Sequence, residues 1–197
     1  MLNPDIQFGV AHVMVDIETI ATHSDAPIIQ IGAIHFEPTT GQMFESFGCG
    51  IHLTDEMLSR ADTDTIQWWI NDPNRLKIFQ SLTRRGKHPE EVFSMFHHWL
   101  EVTSISAERG ELMMWAQGTT FDITILENNM KRYLGRKPAW PFWSVIDTRT
   151  MFNLFGDFRP LPDETQHHDA LYDCRRQIAG VHKVFQEIGV AEKQDDA

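Results

Sequence analysis

A run of apolar residues, Ala11 to Ile17, carries the first of two carboxylates near its end, Asp16, with the second, Glu18, just beyond it. Rich in Val and bounded by polar residues, the run reads as a buried strand. Residues two apart on a strand share a face, so the fold aims both acids the same way from its most buried strand. Like charges held that close are costly unless a positive charge lies between them. A hard divalent cation, bound through oxygen, is the natural partner. Taken alone an Asp-x-Glu is a weak signal, and a strand-end pair facing solvent is the commoner explanation.

Further elements follow along the chain. Ile28 to Phe36 reads as a second strand and Gln42 to Ile51 as a third. The turn residues Pro38 to Gly41 between them predict a hairpin. A helix starts near Asp64, and another runs from His88 to Val102, with Pro89 at its first position and Val92, Phe93, Phe96, Trp99 and Leu100 at helical spacing. His97 and His98 on that helix read as a solvated face. Leu112 to Ala116 reads as a strand, Phe121 to Leu134 as a helix stopped by Gly135, Val145-Ile146 as a last short strand, and Asp169 to Ile188 as a final helix. The order predicts an α/β layered domain with a central mixed five-stranded sheet, its first three strands antiparallel, flanked by helices.

The 197 residues suit one domain, expected over 1–190, with a frayed acidic tail over 191–197. No stretch approaches the roughly 20 apolar residues of a membrane span, and the N-terminus lacks signal-peptide order. No membrane association and a cytoplasmic setting are expected. Cys49 and Cys174 make neither a disulfide framework nor a metal clip. Lys and Arg number 17 against 28 Asp and Glu, a net charge of −11, which argues against a broad basic footprint on nucleic acid. It leaves room for a site where cations grip a single strand end.

Two more acids stand at helix starts. Asp122 follows Phe121 in GTTFDITIL, and Asp173 lies five residues after His168 in HHDALYDC. Singly, each is ordinary: a helix-start acid is favoured by the helix dipole, and a lone histidine is more often a capping or surface residue. Asp147, at the end of the last strand, reads as structural. In combination the pieces resemble the DEDD-type exonucleases with a histidine base, a DnaQ-like superfamily. Asp16-x-Glu18, Phe121-Asp122 and His168-x4-Asp173 stand in that family's order, from about Val13 to Gln177. DTIQWWIND, GTTFDITIL, FWSVIDTRT and HHDALYDC are further similar to the exodeoxyribonuclease VIII-like and phage exonuclease A-like group, to which a mycobacterial exoribonuclease also belongs. Trp115-Ala116-Gln117 departs from the pattern, because many members carry an Asn or a charged residue there.

The resemblance implies a ribonuclease H-like fold and metal-dependent 3'→5' removal of nucleotides from single-stranded DNA or RNA ends. It implies two ions, Mg²⁺ or Mn²⁺, on Asp16, Glu18, Asp122 and Asp173, with Glu18 and His168 as catalytic residues and His168 taking a proton from the attacking water. His167 is the rival base, disfavoured by spacing. Thr19, Ile20, Trp68 and Phe121 are the expected contacts to the terminal nucleotide. Trp68 and Trp69 point to different sides of their helix, so one is core and the other free to stack a base, or both are core. Arg175 and Arg176 lie beside Asp173, within reach of phosphate; the other basic residues read as solvated. Relatives are often dimers, so a homodimer is also expected. Two alternatives stay open: a nucleic-acid-binding module with a dead site, and a phosphodiesterase for short oligonucleotides or small nucleotides. The choice between DNA and RNA is not written in any one residue.

Overall fold

The computed structural model describes residues 9–163, 166 and 168–189; the acidic tail expected over 191–197, and His167, lie outside them. Along the chain run β1 (Val10–Thr19), β2 (Ile28–Phe36), β3 (Met43–Gly50), α1 (Asp55–Leu58), α2 (Thr63–Ile70), α3 (Pro73–Arg85), α4 (Pro89–Ile105), β4 (Glu111–Ala116), α5 (Asp122–Leu134), β5 (Val145–Asp147), α6 (Thr148–Phe155) and α7 (Ala170–Glu187). The five strands form one sheet in the order β3-β2-β1-β4-β5. β1, β2 and β3 pair antiparallel, whereas β4 and β5 join parallel to β1. This is the mixed sheet that the sequence predicts. The predicted hairpin closes through Glu37 and Gln42, the Glu37 N–H donating to the Gln42 carbonyl at 2.8 Å.

β1 occupies the centre, as its apolar run requires. Its odd-numbered residues, Ala11, Val13, Val15 and Ile17, pack into a core shared with Val92, Phe93, Phe96 and Leu100 of α4 and Ile125, Leu126 and Met130 of α5. Met14 faces a second core with Trp115, Phe152, and Cys174, Ile178 and Val181 of α7. The pleat therefore sends Asp16 to the side of α7, where Gln177 donates from Nε2 to Asp16 Oδ1 at 2.8 Å. Between Glu18 and Thr19 the register slips by a bulge. Bulges re-aim the residues that follow them.

α7 is fixed over β2 by a glycine and an amide. A Cβ on Gly32 would stand 2.5 Å from the Ala170 carbonyl carbon and 2.6 Å from the Leu171 nitrogen. Both obstacles are backbone and cannot rotate away. Beside it, the buried Gln30 donates from Nε2 to Asp169 Oδ2 and accepts the Ala170 N–H on Oε1, each at 3.0 Å. Asp169 also caps the helix through the Tyr172 N–H at 3.0 Å.

α3 and α6 were not anticipated. α3 begins on Pro73, with the Asp72 carboxylate accepting the N–H groups of Asn74 and Arg75 at 2.9 Å. α6 is two turns long and is capped by Asp147. The reading of His97-His98 needs correction, because His97 is buried and only His98 is exposed. α4 is long enough for its apolar stripe to widen over that position, and His97 pairs with Glu101 one turn on. No described helix is long and apolar enough to cross a membrane.

Gly32→Ala is expected to destabilise the fold by about 1–3 kcal/mol, the usual cost of overpacking, by pushing the start of α7 off the sheet. Denaturant unfolding measures it, and an unchanged midpoint would remove the close approach from the account.

Candidate active site

Four carboxylates reach one cleft from three distant parts of the chain. β1 brings Asp16 and Glu18, the start of α5 brings Asp122, and the first turn of α7 brings Asp173. The cleft holds about 260 Å³ and is also lined by Ile17, Gln117, Phe121, Arg149, Arg159, His168, Arg176 and Gln177. One donor atom each of Glu18, His168 and Asp173 lie within 4.8 Å of one another, close enough to share an ion. Asp16 and Asp122 face the same space from the cleft wall.

The electrostatics of this cluster are those of a site built around positive charge. Burial, then the charges of Asp122 and Asp173, pushes the Asp16 carboxyl well above the usual carboxylate range. Glu18 is raised well above its usual value by burial and then by Asp16, Asp173 and Asp122. Burial lifts Asp122 to about 7, against the opposing N–H groups of Ile17 and of Asp122 itself. Hard oxygen donors that repel one another so strongly suit a hard divalent cation. The side-chain Oε1 of Gln177, buried beside Asp16, has no hydrogen-bond partner among the described residues. It is one more oxygen that a hydrated cation would satisfy.

His168 is held by its backbone as much as by its ring. It has φ of +70°, the only described residue besides glycine with positive φ, a conformation that costs energy for a side chain-bearing residue though histidine tolerates it better than most. Its N–H donates to Asp173 Oδ2 at 3.2 Å, and its ring stands edge-on to Trp68 with centroids 4.7 Å apart. Asp173 thus faces the cleft while fixing the turn that carries the histidine. Its other oxygen accepts Arg176 Nη1 at 2.9 Å.

A second cavity of about 410 Å³ adjoins the first and shares Ile17, Glu18 and Phe121 with it. Thr19, Thr22, Asp64, Thr65, Trp68 and Trp69 complete its lining. The two tryptophans divide as one of the two sequence readings has it. Trp69 is buried, with Nε1 donating to the Thr19 carbonyl at 2.8 Å, whereas Trp68 is 38% exposed beneath the Arg75 guanidinium. Ile20 is the exception among the expected contacts. It is fully buried, lines neither cavity, and has its N–H and carbonyl bonded to Pro27 and Asp62. The bulge after Glu18 turns it into the core.

Asp147 lines neither cavity. One oxygen accepts the Thr119 N–H and the other the Thr150 N–H, both at 2.8 Å, tying the loop before Asp122 to the cap of α6. Against the effect of partial burial, these bonds hold its carboxyl below the usual range. Arg175 is exposed and lines neither cavity, while Arg176 faces the acids. The sequence reading missed Gln177, Arg149 and Arg159. Gln177 sits four residues after Asp173 on the same helical face, a spacing that pointed to it; nothing local marked the two arginines.

A model of the 3'-5' exoribonuclease Rv2179c-like domain matches residues 11–185 of the chain. The chain belongs to this family. No curated protein sequence matches it. Among solved structures it is similar to product-bound exonuclease I, with a TM-score of 0.62 and 15% identity over 90% of this chain and 43% of that one. It is also similar to the zinc-bound E. coli exonuclease I–single-stranded DNA complex, at a TM-score of 0.65, 14% identity and coverage of 90% and 41%. A 3'-exonuclease that recognises the histone mRNA stem-loop follows at 0.59 and 12%, covering 94% of this chain and 84% of that one. These likenesses show a shared ribonuclease H-like exonuclease fold. The chain spans about two-fifths of the length of the exonuclease I chains.

The raised acids fix a sign. Between the ordinary aspartate value of 3.8 and about 7, folded Asp122 holds a proton that the unfolded chain has lost, so stability contributed by this group falls as pH rises through that window. In chelator, Asp122→Asn should therefore gain thermal stability over the native sequence progressively from pH 4 to 7. Millimolar Mg²⁺ should raise the midpoint of the native protein at pH 8 and leave the variant nearly unmoved. Melting curves at the four conditions decide it, and a difference that is flat with pH would contradict the account.

Proposed function

We propose that this domain is a 3'→5' exonuclease that removes nucleotides from single-stranded RNA or DNA ends, using Mg²⁺ or Mn²⁺. The convergence of Asp16, Glu18, Asp122 and Asp173 on one cleft beside the His168 ring carries this reading. Those four acids would hold two divalent ions, which when bound neutralise the phosphate and stabilise the attacking and leaving oxygens. The remaining work belongs to the side chains. His168 accepts a proton from the attacking water as the new P–O bond forms. The bond from phosphorus to the 3' oxygen then breaks, giving a nucleoside 5'-monophosphate and a chain one nucleotide shorter. Asp173 holds the turn that aims His168, and Gln177 orients Asp16. Thr19, Trp68 and Phe121 receive the terminal nucleotide in the adjoining cavity.

The family description, an exoribonuclease, favours RNA, while the DNA-bound exonuclease I shares the fold. The homodimer and kinship with the exodeoxyribonuclease VIII-like and phage exonuclease A-like group belong to the same proposal and rest on sequence resemblance alone; a cytoplasmic setting is proposed with them.

The test is a ladder assay on 5'-labelled single-stranded RNA and DNA. Stepwise shortening from the 3' end is expected with Mg²⁺ or Mn²⁺, and none with chelator or with Asp16→Ala. His168→Ala should be slowed by a factor on the order of 10²–10⁴. Internal cuts, or full activity in chelator, would refute the mechanism. Trp68→Ala should weaken substrate binding by about 1–3 kcal/mol, the worth of one stacked base, read as a raised KM with a smaller change in kcat. An unchanged KM would take Trp68 out of the binding surface.

A further inference from the structure

The acid cleft has a cationic wall on residues outside the three motifs. Arg149 in the first turn of α6, Arg159 in the segment after α6, and Arg176 on α7 all line it, and none of them lines the aromatic cavity. In a chain of net charge −11, three guanidinium groups facing one cleft need a reason.

Gln117 organises two of them. Its main-chain carbonyl accepts Arg149 Nη2 at 2.9 Å, and its side-chain oxygen accepts Arg159 Nη1. It ends the Trp115-Ala116-Gln117 stretch, where the sequence departs from the family pattern. Arg159 is further clamped by Asp157, through Nε at 2.9 Å and Nη2 at 2.6 Å, and lies over the Phe152 ring. Arg176 donates from Nε to the Pro160 carbonyl at 3.0 Å and from Nη1 to Asp173. The Arg159 and Arg176 side chains are only 22% and 12% exposed.

Bridging alone accounts for part of this, since Arg159 and Arg176 tie the segment after α6 to β4 and α7. It does not account for all of Arg149, whose charge acts on Asp122 but which is exposed, spends one nitrogen on one carbonyl and makes no close ion pair among the described residues. An arginine offers five N–H donors, so Arg149 keeps most of its fork for something else. Held guanidinium forks match phosphate oxygens.

We propose that Arg149, Arg159 and Arg176 bind the phosphate one nucleotide upstream of the scissile one. The inference rests on the exonuclease reading above. The terminal nucleotide enters the aromatic cavity, the scissile phosphate sits at the acids, and the next phosphate meets the arginines. The site therefore discriminates by length: a substrate must carry a second phosphate to use it, so a trinucleotide is cut more efficiently than a dinucleotide with a free 5'-hydroxyl.

Dinucleotides and trinucleotides of both sugar types, with Mg²⁺ or Mn²⁺, separate the possibilities. The native protein should cut both lengths, with the higher kcat/KM on the trinucleotide. Arg149→Gln and Arg159→Gln should each lower the trinucleotide-to-dinucleotide ratio by about tenfold or more, the weight of a lost charge-assisted hydrogen bond. Independently of turnover, anisotropy of a labelled oligonucleotide in chelator gives the salt dependence of binding, and each variant should flatten the slope of log K against log salt by about 0.7. Arg149 makes a single carbonyl contact, so its variant keeps the fold even if Arg159→Gln does not, which melting curves check. A ratio and a slope equal to those of the native protein would overturn the arginine site alone. Failure to cut either length while a long labelled strand is shortened would overturn this proposal alone, and failure on the long strand as well would overturn the exonuclease reading with it.

Discussion

Mutual repulsion among buried carboxylates is the constraint that the rest of the structure answers. Asp16, Glu18, Asp122 and Asp173 are closer, and drier, than their charges favour, and the raised values of the first three express that cost. Left to itself such a cluster would spread toward water. It cannot, because each acid is rooted in an element with a prior commitment. β1 is locked at the centre of the sheet by cores on both faces, α5 is anchored by Ile125, Leu126 and Met130, and α7 is pinned to β2 at Gly32 and Gln30. Sites on rigid elements hold their geometry better than sites on loops, and here rigidity keeps apart from solvent a set of groups whose repulsion a proton or a bound cation would relieve.

His168 adds a second strained component. Its left-handed backbone donates a hydrogen bond whose acceptor is one of the four acids. On the proposed reading Asp173 would join two functions in one carboxylate: holding an ion with its lone pairs and steadying the turn that presents the imidazole. Each carboxylate oxygen offers two lone pairs, so both duties fit. Trp68 closes the far side of the ring, which places the histidine at the junction of the acidic and aromatic cavities.

What could be read from the sequence was what local periodicity encodes. The central strand with its two acids, the β2–β3 hairpin, the α4 stripe and the glycine that ends α5 all follow from apolar spacing and turn chemistry; Gly135 indeed takes the left-handed conformation, with φ of 62°. The placement of Asp122 and Asp173 at helix starts was equally legible. Two kinds of feature were not. Ile20 was expected at the nucleotide from family resemblance, but a register shift between Glu18 and Thr19 changes which way the chain faces, and no residue type announces it. Arg149 and Arg159 reach the cleft because α6 and the segment after it fold back across β4 and α7. That path is set by tertiary packing, such as Arg159 over Phe152, and leaves no mark in a window of ten or fifteen residues.

The order in which the chain supplies its parts has a consequence for how the protein is made. Three of the acids are present by residue 122, yet the imidazole and the fourth acid arrive only with the last helix, at His168 and Asp173. Until those residues are synthesised, the proposed centre lacks its base and one of its four acids, so it can form only after the sheet that carries its first three acids has been made.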